Sequence, residues 1–197
     1  MKYVIGLTGG SGAGKSAVSE FLKEKGATVI DADAISREIT KEGGIALPEI
    51  DKAFPGVIED GVLDRKALGR IVFADSCKLS LLNEITHKYI KKLTEEKIKK
   101  ADGLIVLDAP LLFEAGEDVL CDKIVFVTAD EEVRIKRIMK RDALSYPDAK
   151  MRIDARNLSP IMEKCDFVIE NNGEILTIEK EIEDFILKCA GKDIFAK

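Results

Sequence analysis

The stretch GLTGGSGAGKS, residues 6–16, decides how the rest of this chain is read. Gly9, Gly14, Lys15 and Ser16 fit the spacing G-x-x-x-x-G-K-[ST]. Glycines at those places allow backbone angles that turn successive N–H groups inward on a phosphate. Those N–H groups, with the N-terminus of the helix that follows, supply positive potential where an anion binds. Lys15 then reaches the β and γ phosphates, and the Ser16 hydroxyl meets Mg²⁺. The plain alternative is a glycine-rich turn before a helix. The flanks favour the phosphate loop. KYVIGL (2–7) reads as a buried strand, and residues 15–25 as a helix with Val18, Phe21 and Leu22 on one face and Gly26 as its stop.

Outward from the loop, short β-branched runs alternate with helical patterns. ATVI (27–30), GLIVLD (103–108), KIVFVTA (123–129) and FVIE (167–170) read as further strands, and helices are expected at 131–141 and 174–189. Between 43 and 101 no strand is evident; helical segments are read at 46–54, 64–74, 77–86 and 88–101. Strands alternating with helices imply an α/β protein: the three-layer fold of P-loop NTPases, a five-stranded parallel sheet with helices on both faces. The expected division is a nucleotide-binding core (1–42 and 102–190), a helical substrate domain (43–101), a lid (138–158) and a C-terminal tail (191–197). Ligands of such sheets sit beyond the carboxyl ends of the strands.

Composition narrows the partners. The chain has 197 residues, 46% hydrophobic and 34% charged, which suits one well-buried domain with an insertion. A net charge of −5 argues against general nucleic-acid binding, which draws its affinity from a basic surface. No apolar run approaches the ~18 residues of a membrane span, and the first residues do not read as a signal peptide. Cys77, Cys121, Cys165 and Cys189 form no C-x-x-C, and there is one histidine, so a zinc site is not expected. The cysteines read as reduced thiols of a cytoplasmic protein.

Other residues are candidates because of where they fall. Asp31 and Asp33 stand where the second strand meets its helix. One of them can cap that helix. The other, Asp33 in this reading, can face the phosphate loop, take a hydroxyl proton and hold the oxygen in line. A switch GTPase uses water instead and needs a guanine-reading N-K-x-D, which this chain lacks. Asp108, ending the third strand, has the place of an acid that holds Mg²⁺. Arg134, Arg137 and Arg141 share one helix face. They can form a solvated basic face, or Arg137 and Arg141 can reach phosphates from a flap, since guanidinium forks suit phosphate oxygens. His87 lies in the helical insertion, where it is either structural or in contact with substrate.

These residues occur within ordered motifs: GLTGGSGAGKS (6–16), IDAD (30–33), LDRKALGRIVF (63–73), LLNEITH (81–87), PLLFE (110–114), RIMKRD (137–142) and VIENNG (168–173). In that order and spacing the chain resembles the dephospho-coenzyme A kinases over nearly its whole length. The resemblance implies ATP- and Mg²⁺-dependent phosphorylation of the ribose 3′-hydroxyl of dephospho-CoA. It implies Asp33 as base, and Lys15 and Arg141 stabilising the moving phosphoryl group. Ser16 and Asp108 would attend the metal. Gly9, Ser11, Gly12, Ala13, Gly14, Arg137, Asn171 and Gly173 would lie on ATP, and Asp31, Arg65 and His87 toward the acceptor. Four positions depart from the family pattern: Lys88 follows His87 where proline is usual, Arg156 stands where glutamine is frequent, and Ser11 and Ala13 replace Ile and Ser. The alternatives are another small-molecule P-loop kinase, with a nucleoside, nucleotide or sugar-acid acceptor, and a non-catalytic nucleotide-dependent switch. Neither partner nucleic acid nor membrane is expected, and the oligomeric state is left open.

Overall fold

In the computed structural model, strand β1 (Lys2–Gly9) runs down the middle of a five-stranded parallel sheet. The structure describes residues 2–173 and 175–195; Met1 of the expected core and residues 196 and 197 of the expected tail lie outside them. After β1 come α1 (Lys15–Glu24), β2 (Thr28–Asp31), α2 (Ala32–Ile39) and α3 (Leu47–Ala53). A short hairpin, β3 (Ile58–Glu59) and β4 (Val62–Leu63), leads into α4 (Arg65–Phe73) and α5 (Ser76–Lys100). The chain then returns through β5 (Gly103–Asp108), β6 (Lys123–Thr128), α6 (Glu131–Asp142), α7 (Tyr146–Asp154) and α8 (Ser159–Met162) to β7 (Phe167–Glu170) and α9 (Ile175–Ala190).

The order across the sheet is β2-β5-β1-β6-β7. This is the P-loop NTPase arrangement, with β1 at the point where the chain switches from building one side to building the other. The strands read as apolar runs because both faces are covered. Alternation along β5 shows it directly: Leu104 and Val106 pack with Val18 and Leu22 of α1 and Ile182 and Ile186 of α9. Ile105 and Leu107 face the opposite way and pack with Ile35 of α2 and Ile85 and Ile90 of α5. A separate small cluster, Ile135, Ile138, Ala149 and Ile153, joins α7 to α6.

Two expectations for residues 43–101 need correction. The stretch does contain strands: Ile58 pairs with Leu63 and Glu59 with Val62 around Asp60–Gly61, both at positive φ (51° and 80°). Asp-Gly is the residue pair such two-residue turns favour, so the signal was present but lay between very short strands. The two helices expected at 77–86 and 88–101 are one 25-residue helix, α5. No glycine or proline interrupts 76–100. Lys88, in the place where the family often has proline, donates its backbone normally and reaches Glu49 of α3 at 2.6 Å, beside Tyr89 at 2.8 Å.

The register aligns the strand ends. Asp31 pairs with Asp108, so β2 and β5 finish at one level, and β1, whose Leu7 lies opposite Asp108, runs two residues further to Gly9. Everything that follows those strands is thereby delivered to one edge. Ile105, fully buried at the centre of this layer, tests the packing. Ile105→Ala should lower unfolding free energy in urea by ~2–5 kcal/mol, and a change below ~1 kcal/mol would contradict the packing described.

Candidate active site

At that edge the loop between β1 and α1 is held in shape from outside. The Asn171 amide donates to the Ala13 carbonyl at 2.9 Å and accepts from Arg137 at 3.1 Å. Arg137 also donates to the Gly12 and Ala13 carbonyls at 3.4 and 3.3 Å, and Arg134 Nε to the Ser11 carbonyl at 3.0 Å. The carbonyls of Ser11, Gly12 and Ala13 are thus spoken for on the outer side; the Ala13 N–H turns back on Gly10 O at 3.2 Å, and the N–H groups of Ser11, Gly12 and Gly14 are left for the inner side. Asn171 itself is 3% exposed and is fixed through its backbone N–H to Thr128 O at 2.7 Å. Gly14 caps α1 at φ 88°, ψ 24°, and a Cβ there would collide with the Asn171 amide. Conformation and space both demand glycine.

The loop floors a cavity of about 750 Å³. Gly9, Gly12, Gly14, Lys15 and Ser16 line it, together with Arg137, Lys140, Arg141 and Arg152; Asp33 is the carboxylate among the lining residues. Such a surplus of cations in a concave site suits a polyphosphate. The Lys15 ammonium pairs with the Asp108 carboxylate, both largely buried. Burial pushes the Lys15 ammonium below the ordinary lysine range, while Asp33 and Asp31 pull it back. Arg141 donates through Nε and Nη2 to Asp142, both at 2.8 Å, and Arg152 reaches the same carboxylate at 2.6 Å. Asp142 therefore holds Arg141 and Arg152 together at the rim, and its charge keeps the Arg141 guanidinium above its usual range.

The two acids of the second strand divide the work. Asp31 caps α2, accepting from Ala34 N at 2.9 Å, and pairs with Arg37 at 3.5 Å. Asp33 faces two spaces at once. It lines the cationic cavity and also a second one of about 140 Å³, which it shares with Pro110, His87, Asn83, Ile90 and Glu117. Burial lowers the His87 pKa, partly offset by a hydrogen bond to the Glu114 backbone. Arg65 lines neither cavity; it donates to Thr40 at 2.8 Å. Gly173 is exposed and open around its Cα, just past Asn171.

Sequence reasoning did not single out Lys140 or Arg152, which enter the site only because α6 and α7 pack side by side. Arg156 also acts at a distance from its sequence neighbours. It donates to Pro110 O at 2.9 Å and pairs with Glu114, tying the segment after α7 to the partition between the cavities. Among the described residues no cluster of three or more His, Cys, Asp or Glu forms a metal cage. Ser16 offers a hard oxygen donor at the cavity, and Asp108 stands behind Lys15 rather than on the cavity lining, as suits Mg²⁺ bound chiefly through phosphates and water. No helix among the described residues is long and apolar enough to cross a membrane.

A family model described as dephospho-CoA kinase (CoaE) matches residues 3–177. The chain belongs to the dephospho-CoA kinase family. A dephospho-CoA kinase from Fusobacterium nucleatum is 43% identical over 186 residues, covering 92% of this chain and 96% of its own. Among solved structures, TT1252 from Thermus thermophilus superposes with a TM-score of 0.82 at 30% identity, over 96% of this chain and 99% of that one. A dephospho-CoA kinase from Campylobacter jejuni gives 0.69 at 29% identity, over 97% and 99%. In the family's terms, the motifs at 6–16, 30–33 and 168–173 meet around one loop. Gly14→Ala should therefore weaken ADP binding by roughly 5- to 150-fold, since forcing that backbone costs on the order of 1–3 kcal/mol. Calorimetric titration with ADP checks this, and unchanged affinity would contradict the loop geometry.

Proposed function

We propose that this protein transfers the γ-phosphoryl group of ATP to the ribose 3′-hydroxyl of dephospho-CoA, giving CoA and ADP. The observation that carries the reading is the position of Asp33 on the wall between a cationic cavity and a smaller one without lysine or arginine. Family membership supplies the acceptor. A carboxylate so placed can accept the hydroxyl proton while the oxygen attacks phosphorus in line with the departing ADP.

The remaining roles follow from where each residue sits. Backbone N–H groups of Ser11, Gly12 and Gly14 and the N-terminus of α1 cradle the phosphates, while Ala13 is buried, its N–H closing the loop on Gly10 O. Lys15 turns from Asp108 to the β and γ phosphates, where its charge offsets what develops in transfer. Arg141, released from Asp142, does the same from the rim, with Arg152 and Lys140 beside it. Arg137 and Asn171 act on ATP through the loop carbonyls they hold, and Gly173 leaves room for the adenine beyond them. Asp31 keeps α2, and so Asp33, in place; His87 lines the acceptor side, and Arg65 braces the helical segment against α2. Mg²⁺ held by Ser16 and Asp108 would neutralise phosphate charge.

In this reading residues 43–101 serve as the acceptor domain, and 138–158 as a lid on the core formed by 1–42 and 102–190. Support for the lid comes from α7, whose apolar side packs on α6 in a cluster of its own. Residues 191–197 form the C-terminal tail, of which Ile194 packs into the core beside α9. The protein is expected to act in the cytoplasm.

Asp33→Asn should lower kcat by ~10²-fold or more, with the ATP dissociation constant little changed. An unchanged kcat would remove Asp33 from the chemistry. Dephospho-CoA lacking the 3′-hydroxyl should release no ADP above the background of water alone. Release at the full rate would point to hydrolysis, and to a nucleotide-dependent switch, rather than to transfer.

A further inference from the structure

The 140 Å³ cavity beside Asp33 contains a group that phosphoryl transfer leaves unused. Glu117 is 1% exposed, and Thr94, itself fully buried, donates to its Oε1 at 2.7 Å. No ion pair reaches Glu117 among the described residues. Burial raises its pKa, only partly offset by the Thr94 hydroxyl and the charge of Lys91. Burial favours the protonated form, and in that form the carboxyl presents a donor and an acceptor side by side. Thr94 holds one oxygen of this carboxyl, and the side chain lines the cavity, where a ligand can pair with it.

The cavity is far too small for a whole dephospho-CoA, so only a fragment enters it. The functional reading places the ribose 3′-hydroxyl at Asp33, and two fragments leave that ribose: the base and the 5′-diphosphate. The lining decides between them. It carries the Asp33 carboxylate and no lysine or arginine, so a diphosphate would find no counter-charge there. Ala32, Ile90, Ala109 and Leu111 give apolar surface for the faces of a flat heterocycle.

We propose that this cavity receives the adenine of the acceptor and that Glu117 pairs with its hydrogen-bonding edge, making Glu117 a specificity-determining residue. The exocyclic amine donates to one carboxyl oxygen, and a ring nitrogen accepts from the other. Thr94 fixes the rotamer. The inference rests on dephospho-CoA being the acceptor, and the test separates the two claims.

The experiment compares kcat/KM for dephospho-CoA and for its counterpart with unsubstituted purine, which lacks the amine. Wild-type protein should prefer the adenine compound by about tenfold, the worth of one hydrogen bond in a buried site. Glu117→Met, close in length and apolar, should bring the two within about twofold, because the amine then finds no acceptor. A lid or folding defect would lower both rates and leave their ratio alone. If the methionine variant does not fold, Glu117→Gln, which keeps shape, donor and acceptor, must retain the preference, and its loss would overturn the pairing. CoA formation without any base preference in the wild type, or a preference undiminished in Glu117→Met, would overturn this inference alone. Wild-type protein that makes no CoA from dephospho-CoA would overturn the functional reading and this inference with it.

Discussion

A phosphate loop must turn its N–H groups inward without abandoning its carbonyls, and this structure is organised around that requirement. Arg134, Arg137 and Asn171 come from α6 and from the end of β7, distant in sequence, and converge on the carbonyls of Ser11, Gly12 and Ala13. The parallel sheet is what brings them there. Because β6 pairs in register with β1 and β7 with β6, the segments that follow them emerge behind the loop rather than in front of it. The loop's inner face is left for the ligand, and its shape is set before any ligand arrives, so little ordering has to be done on binding.

Charge is then sorted across one thin partition. On one side lie Lys15, Arg137, Lys140, Arg141 and Arg152; on the other, a space without lysine or arginine. Asp33 and Pro110 border both. The partition is itself tied down: Thr8 Oγ1 donates to the Pro110 carbonyl at 3.3 Å, and Arg156 donates to the same oxygen at 2.9 Å. Arg156 thereby links the segment after α7 to the wall, which is a physical account of its standing where relatives often carry glutamine. In the proposed transfer, a carboxylate on such a wall meets an alcohol from one side and a phosphoryl group from the other.

Much of this was legible in the sequence because it is local. The spacing of Gly9, Gly14, Lys15 and Ser16 needs only neighbouring residues to be read, as do the apolar strands that both faces of the sheet bury. Asp31 and Asp33 were legible as a pair but not individually. Which one caps α2 depends on where the helix starts by a single residue, and the structure gives Asp31 that task. Arg65 could not be placed, since its partner Thr40 lies on another element. Lys140, Arg152, Arg156 and Glu117 were illegible for the same reason: each acquires its surroundings from helices or loops far along the chain. Glu117 in particular sits in an unremarkable loop, AGEDV, and only the approach of α5 buries it against Thr94.

The central claim is that a phosphoryl group crosses from the cationic cavity directly to an alcohol held at Asp33. Its most direct test is to supply Mg-ATP and dephospho-CoA, follow ADP, and locate the new phosphate in the product by mass and phosphorus resonance. The account predicts one ADP for each CoA formed, with the phosphate on the ribose 3′-oxygen. ADP released with inorganic phosphate, or a phosphate found on any other oxygen, would contradict it.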